Sequence, residues 1–140
     1  MRSKKFLTLF TIIIINIVSI SYSYSIEPDV FVQSTVNRAS QALNNKFSKE
    51  EKIEKLKQIA SETVDIKGIG FYTLGGYRKS ISDDEIKQYE ILFEQYFLKS
   101  FSSRLAEYSN PEIEVISKRK LNQNYTMVSS ILVSTELRPE

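Results

Sequence analysis

An α+β fold, with amino-terminal helices packed on an antiparallel sheet, is what this sequence predicts, and three observations predict it. From residue 29 to about residue 109, apolar side chains recur at intervals of three and four, which puts them on one face of a helix. Beyond Asn110-Pro111 the texture changes, and β-branched residues crowd two short runs around a polar turn, as in a hairpin. Within the helical part, the chain's four glycines (Gly68, Gly70, Gly75 and Gly76) fall inside nine consecutive positions, which marks one irregular joint.

Residues 1–25 stand apart from that fold. The stretch MRSKKFLTLFTIIIINIVSISYSYS opens on Arg2, Lys4 and Lys5, runs apolar from Phe6 to Ile20, and closes on small and polar residues with Ser23-Tyr24-Ser25 as a small-x-small cleavage site. Its apolar run is shorter than the roughly 20 residues a helix needs to cross a bilayer, so a cleaved secretory signal is expected over an anchor, with residues 26–140 as a single domain. The charge balance shifts accordingly. Nineteen Lys and Arg stand against 17 Asp and Glu in the whole chain; without the leader's three basic residues the balance is 16 against 17, a net charge of −1. No basic excess is left to suggest a nucleic-acid partner. There is no cysteine, so an exported domain of this size has no disulfide and must be held by its core alone.

The elements can be taken in order. Residues 29–45 place Val32, Val36, Ala39 and Leu43 on one helical face, with Asp29 as N-cap behind Pro28 and Asn44-Asn45 as a stop. Ser48-Lys49-Glu50-Glu51 is a capping box, followed by Ile53, Leu56, Ile59, Ala60 and Val64 at helical spacing, while the charged residues between them form a solvated face. In VDIKGIGFYTLGGYRKS the glycines predict either an irregular helix or a turn, because glycine in a helix interior costs about 1 kcal/mol relative to alanine. A phosphate-cradling loop is excluded: no Gly-Lys-Ser/Thr follows and no strand precedes. A second capping box, Ser82-Asp83-Asp84-Glu85, opens the longest helix, about residues 83–109, whose stripe is Ile86, Tyr89, Phe93, Tyr96, Phe97, Phe101, Leu105 and Tyr108. Asn110-Pro111 is expected to end it, since the residue before proline is pushed out of the α region. EIEVISKRK and YTMVSSILVST then read as two strands, with Ile113 and Val115 on one face and Met127, Ser129, Ile131 and Val133 on another. A lone hairpin is marginal and leaves Val133 on an edge with free backbone groups, so the sequence reads as cut short.

The chain has neither His nor Cys, which removes the commonest general base, metal ligand and thiol nucleophile. No catalytic residue, metal or cofactor is assigned, and no enzyme is expected. The one dense acidic cluster, Asp83 to Glu85, sits in a helix's first turn, where acids complement the helix dipole. An aromatic-rich interior suits apolar cargo instead. Exposing a lipid tail to water costs roughly 0.8 kcal/mol per CH₂, and apolar walls remove that cost without any fixed polar group. The wall residues expected on this reading are Phe71, Leu74, Tyr77, Phe93, Phe97, Phe101, Val115, Met127 and Ile131, with Gly75 allowing close packing behind Leu74. Arg78 and Lys79 are candidates to meet a phosphate at the mouth.

The run ETVDIKGIGFYTLGGYRKSISDDEIKQYEILFEQYFLKSFSSRLAEY resembles the central region of the MlaC family, periplasmic phospholipid-binding proteins, also called toluene-tolerance auxiliary proteins, that serve an ABC transport system. The matching pattern is an apolar pair, Leu74-Gly75-x-Tyr77, Lys79-Ser80, a Ser/Thr cap, and aromatics at helical intervals ending in Leu105-Ala106-x-Tyr108. The resemblance extends over roughly residues 27–135 and is most specific over 68–108. It implies helices on a curved antiparallel sheet enclosing an apolar cavity for phospholipid acyl chains. It also implies periplasmic traffic between an outer-membrane lipoprotein complex and an inner-membrane ABC transporter complex, which maintains outer-membrane lipid asymmetry. Family members continue with further strands and a final helix, so the resemblance predicts an incomplete sheet here. The alternatives are a secreted helical interaction protein or a non-functional remnant of the carrier.

Overall fold

Helix gives way to strand near residue 109, where β-branched residues replace the helical stripe. The computed structural model describes residues 25–136; residues 1–24, and with them the export-signal reading, lie outside the described residues. The order is α1 (Pro28–Ala42), α2 (Lys49–Thr63), α3 (Ile66–Thr73), a 3₁₀ turn (Gly75–Lys79), α4 (Asp83–Leu105), β1 (Ser109–Lys120) and β2 (Thr126–Glu136). The two strands pair antiparallel, so the fold is α+β. Among the described residues no helix is long and apolar enough to cross a membrane.

Local chemistry sets the helix starts. Both capping boxes form: Ser48 Oγ accepts from Glu51 N at 3.2 Å while Glu51 Oε2 accepts from Ser48 N at 2.8 Å. Ser82 and Glu85 repeat the exchange at the head of α4. Accepting these bonds in charged form holds both glutamates below the usual carboxylate range. At α1 the expectation is off by two residues. Glu27 occupies the cap position without a side-chain bond and Pro28 stands at N1, where its missing N–H costs nothing. Asp29, expected as N-cap, sits in the first turn and accepts instead from Lys118 Nζ at 2.8 Å.

The end of α4 also differs from expectation. The helix stops at Leu105, and Pro111 does not terminate it but lies buried inside β1. Asn110 makes the change of direction: its φ of 45° is left-handed, a conformation asparagine tolerates better than most residues. It is fixed there by bonds to α1's carboxyl end, with its N–H on Leu43 O at 3.2 Å and its Oδ1 accepting from Asn45 N at 3.3 Å. Proline is admissible in β1 because that edge of the sheet pairs with no other strand among the described residues.

The core is a small knot of Ala42, Leu43, Leu56 and Ala106, with Ala39, Ile53, Ile59 and Leu105 packed around it. It lies where α1, α2 and the end of α4 meet. Lys52 is buried beside it, its stem covered and its Nζ 3.5 Å from Tyr108 O. Above the knot, α1 lies along the sheet while α4 packs on α2 and α3.

Candidate functional site

The glycine-bearing stretch resolves into a joint between α3 and α4. Gly68 and Gly70 lie inside α3, and Gly70 is where the two helices come close: a Cβ there would stand 2.8 Å from Phe93 Cδ1. One turn on, Thr73 Oγ1 lies 2.7 Å from Tyr89 Oη. Close packing was expected at Gly75, and here the structure corrects the sequence. A Cβ on Gly75 would meet nothing within 4 Å, and its φ of +55° shows that glycine serves there to turn the chain out of α3.

From this joint a ladder of rings runs up α4. Tyr89, Phe93, Phe97 and Phe101 follow at four-residue spacing, with successive centroids 5.7, 6.2 and 5.4 Å apart and interplanar angles of 29°, 28° and 11°. Side chains at i and i+4 are neighbours on a helix, and these separations fall in the range of favourable stacked pairs. The ladder is not sealed into the core. Phe101 is 38% exposed, and Phe71 at the joint is 41% exposed. Ser100 and Arg104 flank the upper rings along an open hollow of about 660 Å³.

The remaining predicted residues are distributed around this ladder unevenly. Leu74 is half-buried at the carboxyl end of α3. Tyr77 is 76% exposed on the 3₁₀ turn. Arg78 holds its guanidinium 5.1 Å from the Phe71 ring centroid, a cation–π contact that ties it to an expected wall residue, while Lys79 is exposed beside it. On the sheet the register decides which side chains can act together. Val115 stands opposite Ser130 and Glu114 opposite Ile131, so Val115 and Ile131 face opposite sides. Ile113 and Val115 are half-buried on the side that α1 covers; Met127 and Ile131 share the other side and are 42% and 46% exposed. Among the described residues the predicted wall is therefore divided between the α3–α4 joint with its ladder, Val115 beneath α1, and Met127 with Ile131 on the exposed side of the sheet.

Two residues that the sequence reading passed over carry much of this arrangement. Gly70 sets the spacing of α3 and α4, and its signal was present: a glycine costly in a helix has its reason in a close approach. Gln33 closes the outer edge of β1, its Nε2 donating to Ile113 O at 3.3 Å and its Oε1 accepting from Val115 N at 2.9 Å. Its position at the rim of the α1 stripe gave no sign of a strand nearby.

Other features carry less. A polar hollow of about 440 Å³ between α1 and α2 contains Lys46 and Lys55, whose ammonium groups lie 5.0 and 4.5 Å from the Phe47 ring centroid, but it includes none of the predicted residues. Lys118 bridges Glu27 and Asp29, pinning the start of α1 to β1. That pairing raises the lysine above its ordinary range, chiefly through Asp29, and lowers Asp29. Among the described residues no group of His, Cys, Asp or Glu could hold a metal ion.

Comparison with known proteins gives one match. The family model described as MlaC protein matches residues 33–140. Neither the curated proteins nor the solved structures include a match.

Proposed function

The chain belongs to the MlaC family, and on that premise we propose that it is a periplasmic phospholipid-binding carrier. Family membership suggests a lipid-binding transport protein, not an enzyme. In the proposal, residues 1–25 direct export and are removed, and residues 26–140 act as one domain. That domain carries lipid between an outer-membrane lipoprotein complex and an inner-membrane ABC transporter, and so supports outer-membrane lipid asymmetry.

The observation that carries the reading is the ring ladder. Four aromatic side chains are stacked along α4; Tyr89, Phe93 and Phe97 are half-buried, and the upper end, at Phe97 and Phe101, borders an open hollow. Acyl chains laid along Phe93, Phe97 and Phe101 would bury both surfaces, at about 25 cal/mol per Å² of apolar area removed from water. Phe71, Leu74 and Tyr77 would extend the wall at the joint, and Met127 and Ile131 on the exposed side of the sheet, while Val115 faces α1 on the other side. Gly75 shapes the turn that carries Tyr77 and Arg78. Arg78, over the Phe71 ring, and Lys79, both on the 3₁₀ turn that precedes α4, would meet the phosphate. No bond in the lipid is made or broken.

Site-specific photo-crosslinking in the periplasm tests this. A benzophenone amino acid at Phe97 should capture phospholipid, while the same probe at exposed Gln95, about 200° away around the helix, should not. Equal capture at both positions, or none at Phe97, would overturn the placement.

A further inference from the structure

The loop between α1 and α2 gathers cations around one aromatic ring. Lys46 precedes Phe47 in the chain and Lys55 lies in the second turn of α2, yet their ammonium groups are 5.0 and 4.5 Å from the same ring centroid. A ring face attracts a cation at this range, while two cations drawn to one ring repel each other. Both lysines line the open hollow of about 440 Å³ between the helices, and a third cation, Arg38 of α1, lines it too.

No carboxylate lines that hollow, and the acids of α2 are engaged around it. Glu51 accepts from Ser48 in the capping box, with only a lesser attraction from Lys55. Glu54 pairs with Lys57 at 2.7 Å, and Glu62 pairs with Arg38. Glu50 is exposed and stands outside the lining. Among the described residues neither Lys46 nor Lys55 makes an ion pair. Arg38 is balanced and the two lysines are not, so the hollow holds an excess of positive charge.

Its own margin shows which anion its groups recognise. The Glu62 carboxylate is held jointly by Arg38 and by Gln58 Nε2, the latter at 2.9 Å, and both of those residues line the hollow. Gln41 and Asn44 add amides of the kind that bond peptide groups, and Phe47 and Ile59 add apolar surface. Pockets for small molecules are mostly apolar and bury their ligand; an open, polar, cationic hollow suits side chains that protrude from another surface.

We propose that this hollow is a docking site for an acidic segment of a partner protein. Two carboxylates on neighbouring Asp or Glu residues take Lys46 and Lys55, and their aliphatic stems rest on Phe47 and Ile59. None of these residues belongs to the ladder or to the joint, so the docking does not depend on lipid being bound.

Backbone amide shifts, recorded on the full-length gene product exported and purified from a bacterial periplasm, test this with a blocked hexapeptide of alternating glutamate and glycine. The peptide should move the amides of Lys46, Phe47, Lys55 and Gln58 to saturation, and the same peptide with lysine for glutamate should not. Binding should weaken as salt rises from about 50 to about 300 mM, because exposed pairs are screened. Lys46→Gln combined with Lys55→Gln should weaken it by about tenfold through two lost ion pairs. Lys99→Gln combined with Lys120→Gln, which removes the same charge elsewhere, should leave it unchanged. Peptide that moves none of the four amides, or equal weakening in both double variants, would overturn the proposal. So would inorganic phosphate that saturates the same amides at lower concentration than the peptide, which would assign the hollow to a small anion. Sedimentation with phosphatidylglycerol vesicles that needs Lys46 and Lys55 and that the peptide does not compete would also overturn it, in favour of a membrane surface.

Discussion

At the junction of α1 and α2, Leu43 and Leu56 are 3% and 1% exposed; along α4, which carries four stacked rings, the only fully buried residue is Ser102. The buried knot is made of small and medium side chains, and the aromatic ones are left at the margin. Folding driven by apolar burial alone would do the reverse, because large rings gain most from leaving water. The difference separates two kinds of apolar surface. One holds helices together. The other runs ring on ring along α4 beside the α3 joint, and on the proposed reading it receives apolar cargo.

Substitutions can break this contrast from either side. The largest loss of stability is expected in the knot, where Leu56→Ala should cost about 2–5 kcal/mol in urea unfolding and remove lipid capture only by unfolding the protein. Gly70→Ala comes next. A Cβ 2.8 Å from Phe93 must displace that ring, at about 1–3 kcal/mol, and should reduce lipid capture at temperatures where the fold persists. Gly75→Ala sharpens the comparison. It meets no neighbour but strains a left-handed residue, so it should cost about 1–2 kcal/mol and leave capture on the ladder intact. Phe97→Ala should show the opposite profile. Losing two stacked pairs costs about 1–3 kcal/mol in addition to the lost burial of a half-buried ring, while phospholipid recovered with the purified protein should fall to near zero.

Smaller effects are expected at the helix heads. Ser82→Ala removes the cap of α4 and should cost about 1 kcal/mol without changing which lipids are bound. The pH dependence has a definite sign. Glu51 and Glu85 are held below their ordinary range in the folded chain, so their contribution is complete above that range and is lost as pH falls through it towards the lowered values. Thermal midpoints measured from about pH 6 to pH 3 should therefore decline. The decline should be shallower in Glu85→Gln, whose side chain accepts the same backbone bond without titrating.

What the sequence made legible follows from which interactions are local. Both capping boxes, most of the helical stripes and the hairpin depend on residues within a few positions of one another and stand where the pattern put them, though Val64 and Tyr108 fall beyond the ends of their helices. The failures are long-range. Pro111 looked like a helix stop because its effect on Asn110 is local. Its place inside β1 depends on Asn110 docking to Leu43 and Asn45, 67 and 65 positions away. Gln33 reaches Ile113 and Val115 across 80 and 82 positions, which no spacing rule anticipates. Within the site, the ladder was readable because its four rings share one helix. Whether Val115 and Ile131 could act together was not, because the register that sends them to opposite faces exists only once the strands pair. Close approach, expected at Gly75, belongs to Gly70 for a similar reason: it needs the neighbour, Phe93, to be in place.

Native mass spectrometry of the periplasmic protein tests most directly whether the ladder is a lipid surface. A folded protein with an added mass in the phospholipid range, which collisional activation releases and Phe97→Ala lacks, is expected. A folded protein with no added mass, or one that keeps the same mass in Phe97→Ala, would contradict it.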